Sequence, residues 1–106
     1  MIRDIVLPKL ECRAEAVDVP EWGVTVSVRE LPYRELMAAL DVARAHGDSV
    51  MYVLARCVYD ADGNRAFTDD DAAKLDAANV ESRAVLLKLW AVAKRLNGMD
   101  GEQGKA

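Results

Sequence analysis

The residues of this 106-residue sequence that could do nucleophilic or acid–base chemistry are one histidine, two cysteines and 18 Asp and Glu residues, and no spacing among the carboxylates singles out a catalytic pair. A catalytic nucleophile needs a base within hydrogen-bonding reach, and His46 is the single imidazole of the chain. His46 precedes Gly47 at the expected end of a helix, where the helix dipole favours a positive side chain. We therefore predict that His46 caps a helix and that the chain is not an enzyme.

The cysteines, Cys12 and Cys57, lack the CxxC spacing of a redox pair and are too few for a zinc site with one histidine. Cys57 falls on the apolar stripe of a predicted helix, and free cysteine is among the most buried residue types. We predict a buried free thiol at Cys57 and no metal or organic cofactor.

The acidic segment 60–64 superficially resembles a calcium-binding EF-hand loop, but its spacing differs. An EF-hand has glycine at its sixth position and glutamate at its twelfth, whereas here Gly63 is fourth and Asp71 is twelfth. Asp-Gly is typical of a turn, and Thr68 followed by Asp71 partly imitates a capping box at a helix start. We predict a turn and a helix cap; the alternative is a small acidic domain that binds a metal or another ligand here.

The elements around these residues begin with a hairpin between Ala14 and Leu31. Val24, Val26 and Val28 alternate with polar residues, which predicts a half-buried strand folded back on a first strand through the loop 20–23. Residues 1–13 show no sustained period and are expected to form a loosely packed, partly extended lead-in. Helical spacing follows Leu31, so the predicted fold class is α+β, mainly α, with one N-terminal β-hairpin followed by about four helices.

Length and composition predict one compact domain over residues 1–98 and a mobile C-terminal tail over residues 99–106. Hydrophobic residues make up 52% and charged residues 30% of the chain, a globular balance. The net charge of −4 would repel a phosphate backbone, so nucleic acid is not an expected partner. No apolar run is long enough for a membrane span or a signal peptide, which predicts a cytoplasmic protein with no membrane partner.

The last helix, predicted from Val80 to about Leu96, has an apolar surface that covers more than half of its circumference. A surface helix needs one apolar stripe of about 100°. Either this helix lies in the centre of the domain, or part of it is reserved for another chain. We predict that Leu86, Leu89 and Trp90 contribute to partner binding or self-association. Trp22, in the hairpin loop, is the other candidate, because aromatic anchors are common in interface hot spots; the alternative for Trp22, as for Trp90, is burial in the core.

Several turn and cap signatures also follow one another in a specific order. They are Val19–Gly23 followed by Val26–Leu31, Tyr59–Phe67 leading into Thr68–Asp71, and Arg95–Gly98 at the end of the last helix. In these stretches the chain resembles the tail assembly chaperones of long-tailed bacteriophages and prophages, of siphovirus or myovirus type. The resemblance covers roughly residues 15–98.

The resemblance implies a small non-catalytic protein made in the cytoplasm of the bacterial host. Such a protein binds the tape measure protein, keeps its hydrophobic helices soluble, helps to recruit tail tube subunits and is absent from the mature virion. Many family members also have a longer form made by a translational frameshift. The resemblance assigns no site residues, and another phage morphogenesis or regulatory protein remains an alternative.

Overall fold

The hairpin expected between Ala14 and Leu31 is present in the computed structural model, which describes residues 1–99. Strands β1 (Ala14–Val19) and β2 (Val24–Arg29) pair antiparallel, with Val17 opposite Val26. The loop between them closes through two backbone hydrogen bonds, and Gly23 adopts a φ of 69° there. That conformation favours glycine, because a Cβ atom disfavours positive φ. Except for Met99, the predicted mobile tail lies outside the described residues.

A third strand, β3 (Val58–Tyr59), extends the sheet in the order β1-β2-β3. It pairs antiparallel with β2 through Ser27 and Val28. An isolated bridge between Tyr59 and Arg65 closes the small hairpin that the Asp-Gly turn indicates. The sequence analysis missed β3, because two residues are too few to show the alternation of a strand.

The first residues are helical, unlike the partly extended lead-in that the sequence predicts. Helix α1 (Ile2–Val6) continues into a 3-10 turn over Leu7–Leu10. Pro8 lies in the first turn of the 3-10 segment, where its missing N–H group removes no hydrogen bond. The N-terminal segment therefore has a regular structure of its own before the chain enters β1.

Four helices follow the hairpin, as predicted: α2 (Tyr33–Ala45), α3 (Met51–Cys57), α4 (Ala72–Asp76) and α5 (Val80–Leu96). A 3-10 turn, Asp69–Asp71, precedes α4, and Thr68 and Asp71 form the expected capping box. The Asn79 side chain accepts a hydrogen bond from the backbone N–H of Ser82 at 2.9 Å and so caps α5. The fold is α+β and mainly helical, which confirms the predicted class.

The core lies between the valine face of the sheet and the helices α3 and α5. Leu54 and Leu89 are fully buried in it, and Cys57 lies beside them. The core residues are Val17, Val19, Val26, Val28, Leu31, Ala39, Ala43, Met51, Val53, Leu54, Cys57, Val58, Val85, Leu86, Leu89, Trp90, Ala93 and Leu96. Helix α5 therefore runs through the centre of the fold and supplies six of these side chains. Within residues 1–99, no helix combines the length and the apolarity that crossing a bilayer requires.

Candidate protein-binding surfaces

The N-terminal arm, residues 1–10, is rich in exposed apolar side chains. It supplies six of the twelve large hydrophobic side chains that are exposed in residues 1–99, among them Ile2 (80% exposed), Ile5 (61%) and Leu10 (66%). No residue of α1 or of the following 3-10 turn is buried. Contiguous exposed apolar side chains of this kind mark interaction surfaces, since water disfavours them.

The base of the arm is held to the domain by Arg13. Its guanidinium donates to the carbonyl oxygen of Leu96 at 3.0 Å, at the end of α5. Its backbone N–H donates to a carboxylate oxygen of Glu30 at 2.8 Å, and the Glu30 N–H donates back to the Arg13 carbonyl, also at 2.8 Å. The arm is thus anchored at its root while its helical part stands away from the core.

A cleft of about 800 Å³ separates the root of the arm from the start of α2. Its apolar walls include Leu10, Leu31, Tyr33 and Leu36. Asn97 lies at its edge, where the side-chain oxygen accepts from the Leu31 N–H at 2.7 Å. Charged residues, among them Lys9, Glu11 and Glu30, line the rest of the cleft, so a partner helix placed there would meet both apolar and charged side chains.

Three of the four predicted partner-binding residues lie in the core. Leu89 is 0% exposed, Leu86 is 2% exposed and Trp90 is 9% exposed. In this conformation they contribute to packing, and direct contact with a partner would need α5 to open. Their part in partner binding stays a prediction, and the surface of α5 that a partner can reach is the outward one, where Leu87 is 54% exposed.

Trp22, the fourth predicted residue, is half-buried and connects three parts of the fold. Its Nε1–H donates to the Ser82 hydroxyl at 3.2 Å, which joins the hairpin loop to the first turn of α5. Its ring packs edge-on against Phe67, with 6.3 Å between the ring centroids. The rest of the indole borders a groove that Val24 and Ala61 also line. The structure therefore gives Trp22 a stabilising role, and its partner role stays a prediction.

The sequence analysis missed the arm as a surface, although a signal for it is present. Ile2, Ile5 and Val6 have the i, i+3, i+4 spacing of a helix face. The pattern ends at Pro8 after a single repeat, so it is too short to distinguish a helix from an irregular lead-in.

The acidic segment has the local backbone roles that its spacing predicts. One carboxylate oxygen of Asp60 accepts from the N–H groups of Asp62 at 2.9 Å and of Asn64 at 3.0 Å, which builds the turn. Hydrogen bonds from the backbone and side chain of Thr68 hold the pKa of Asp71 below its ordinary value. Among residues 1–99, no group of three or more His, Cys, Asp or Glu side chains could hold a metal ion.

Asp69 belongs to an ion-pair cluster next to this turn. Arg56 and Arg65 each approach its carboxylate at 3.0 Å. Burial alone would raise the pKa of Asp69, but the hydrogen bonds and charges of the two arginines outweigh it and lower that pKa. The Arg65 guanidinium also donates to the carbonyl oxygen of Ala55 at 3.1 Å, so this cluster ties the turn to α3.

Cys57 is the buried free thiol that the sequence predicts. Burial raises its pKa to about 12, against the opposing effects of a contact with Asn97 and the charge of Arg65. Its Sγ donates to the Val53 carbonyl at 3.4 Å, so the group behaves as a protonated core side chain. His46 follows the last residue of α2 as expected, and its ring stacks on Tyr52 with 4.2 Å between centroids.

No protein-family model matches the sequence, and no curated protein matches it either. Among solved structures, the chain is similar to the tail assembly chaperone of bacteriophage HK97. The two chains are 25% identical, with a TM-score of 0.47, and the similarity covers 82% of this chain and 91% of that one.

Proposed function

We propose that this chain is a phage tail assembly chaperone that binds the tape measure protein during tail morphogenesis and helps to recruit tail tube subunits. The single observation that carries the proposal is the N-terminal arm, whose large apolar side chains are exposed and whose last residue, Leu10, borders the cleft beside α2. The order of turn and cap signatures in residues 15–98, which resembles that family, supports the same function. The role is non-catalytic and belongs to the cytoplasm of the bacterial host.

The arm could cover the apolar face of a long helix. Burying a large aliphatic side chain is worth roughly 1.5–3 kcal/mol, so the six exposed arm side chains together contribute about 9–18 kcal/mol, comparable to the association cost of about 4–15 kcal/mol, which suits a reversible complex. A client helix seated between the arm and Tyr33 would hide its own apolar face from water. Reversible coverage is what a chaperone needs if it is absent from the finished virion.

We propose that residues 1–98 act as one compact domain, in which residues outside the arm also contribute to partner binding. Trp22 would contact a partner through the part of its ring that borders the groove near Phe67. Leu86, Leu89 and Trp90 would act by holding α5 in place beneath that partner, or by direct contact if α5 opens. Self-association and recruitment of tail tube subunits would use surfaces outside the arm, which the client occupies.

Co-expression with the tape measure protein encoded in the same phage or prophage genome tests the proposal. The wild-type chain should raise the soluble fraction of the tape measure protein and co-purify with it. The double variant Ile5→Asp/Leu10→Asp should lose both effects, because two charges then stand where apolar contact is needed.

The matched control is Val50→Asp, which places a carboxylate at an exposed apolar position between α2 and α3, away from the arm. It should behave as wild type, and circular dichroism should show that all three proteins are folded. A folded double variant that still solubilises the tape measure protein would refute the role of the arm. A wild-type chain without any effect would refute the proposed function.

A further inference from the structure

Helix α5 carries a second apolar surface, separate from the arm. Its outer stripe consists of Val80, Ala84, Leu87 and Ala91, all of which are exposed. Val80 is 74% exposed and Leu87 is 54% exposed. The spacing of four, three and four residues is that of the a and d positions of a heptad, which place side chains along one seam of a helix.

The shape of this stripe suits a second helix. Alanine at two of the four positions allows a close approach of backbones, while Val80 and Leu87 provide apolar knobs. Beside Leu87 lies a hollow of about 130 Å³ whose apolar walls include Met51, Leu75 and Ala78, and the charged residues Asp76 and Arg83 also line it. A partner's aliphatic side chain placed in the hollow would contact α3, α4 and α5 at once.

The charge of α5 indicates which kind of helix fits. Four Lys or Arg residues against one Glu give α5 a net charge of +3, whereas the whole chain carries −4. Arg83 and Lys88 lie on opposite sides of the outer stripe, and within residues 1–99 neither forms an ion pair. Lys88 does donate to the carbonyl oxygen of Asp18 at 3.3 Å. Cations that flank an apolar seam select a partner with acidic flanking positions, as at the e and g positions of coiled coils.

We infer that the outer stripe of α5 binds an amphipathic helix whose apolar face is flanked by Asp and Glu residues. Such a helix would place its acidic residues opposite Arg83 on one side and Lys88 on the other. The inference goes beyond the proposed function, because it concerns a surface separate from the arm and does not depend on what binds the arm.

The probe is a synthetic helical peptide of about three heptads with Leu at the a and d positions and Glu at the e and g positions. A second peptide carries Lys in place of every Glu. Fluorescence anisotropy of labelled peptide measures binding to the Ile5→Asp/Leu10→Asp chain, so that the arm cannot contribute and a failure of the proposed function does not affect the result. At about 0.15 M salt, where screening over about 8 Å limits the effect of the chain's overall negative charge, the Glu peptide should bind at least about tenfold more tightly than the Lys peptide, and the difference should shrink at about 1 M salt.

Variants in the stripe sharpen the test. Arg83→Glu/Lys88→Glu should invert the preference between the two peptides, and Leu87→Gln should weaken binding of the Glu peptide about tenfold or more. Arg34→Glu, a charge reversal at an exposed position of α2, is the matched control and should leave the preference unchanged. Equal affinity for both peptides would overturn the inference. Unchanged binding of the Glu peptide by the Leu87→Gln chain would also overturn it. A Leu87→Gln chain that differs from wild type only in its oligomeric state would overturn it as well, because the stripe would then bind a second copy of the chain.

Discussion

The matched pair Leu89→Ala and Leu87→Ala tests quantitatively which side of α5 packs in the core and which side is exposed. Two residues apart in one helix, Leu89 is fully buried while Leu87 is 54% exposed. Deleting a buried leucine removes its transfer free energy and leaves a cavity, which costs roughly 2–5 kcal/mol. The side chain of Leu87 is largely exposed in the folded chain as well as in the unfolded chain, and its truncation leaves no cavity. We therefore expect Leu87→Ala to cost less than about 1 kcal/mol of unfolding free energy.

A cost of this size would be easy to measure in a chain of this length. A domain of this kind has roughly 5–15 kcal/mol of total stability, and each 1 kcal/mol shifts Tm by about 4–8 °C. Leu89→Ala should therefore lower Tm by at least about 8 °C, and Leu87→Ala by a few degrees at most. Urea titration followed by the fluorescence of Trp22 and Trp90, with circular dichroism as a second probe, gives the free energies of unfolding.

The comparison has a clear refuting outcome. If Leu89→Ala is no less stable than Leu87→Ala, the placement of Leu89 in the core is wrong. If that stable variant also binds its partner less well, Leu89 belongs to an interface, as the sequence analysis predicted.

Three further predictions concern other parts of the fold. The variants Trp22→Phe and Ser82→Ala should each lower the free energy of unfolding by about 1 kcal/mol, and a double-mutant cycle should show coupling; additive effects would show that their 3.2 Å hydrogen bond adds nothing. The pKa of Asp69 lies below its ordinary value of 3.8, so its ion pairs contribute stability above that pH and lose it as the pH falls through the lowered pKa. The stability advantage of wild type over Asp69→Asn, below about 1 kcal/mol after solvent screening, should therefore vanish in acid titrations once the pH falls below that lowered pKa; an advantage independent of pH would contradict this. Exposed Cys12 should react with a thiol reagent at pH 8, while Cys57, with a pKa of about 12, should react only on unfolding; mass spectrometry distinguishes the two, and equal rates would refute the burial of Cys57.

The parts of the fold that the sequence predicts are those with long patterns or specific end signals. Alternating valines define β2, and an asparagine cap and a 17-residue apolar pattern define α5. Helix α1 and strand β3 span five and two residues, so neither contains a full pattern. Helix α1 forms through local helix propensity, and β3 forms by pairing with β2. Neither cause produces a repeating pattern in so short a segment.

The candidate surfaces were harder to predict than the fold. Leu86, Leu89 and Leu87 are the same residue type within four positions, and their sequence alone does not tell which of them faces the core. That depends on where the sheet and α3 pack against α5. The arm is the opposite case: its apolar residues are evident in the sequence, but only the structure shows that nothing in residues 1–99 covers them.

Hydrogen–deuterium exchange on the arm, with and without the co-purified tape measure protein, is the most direct test of the central claim. The account predicts that the amides of residues 2–10 exchange rapidly in the free chain and become strongly protected in the complex, together with those near Tyr33 at the cleft. Protection elsewhere in the chain, with the exchange of the arm unchanged, would contradict it.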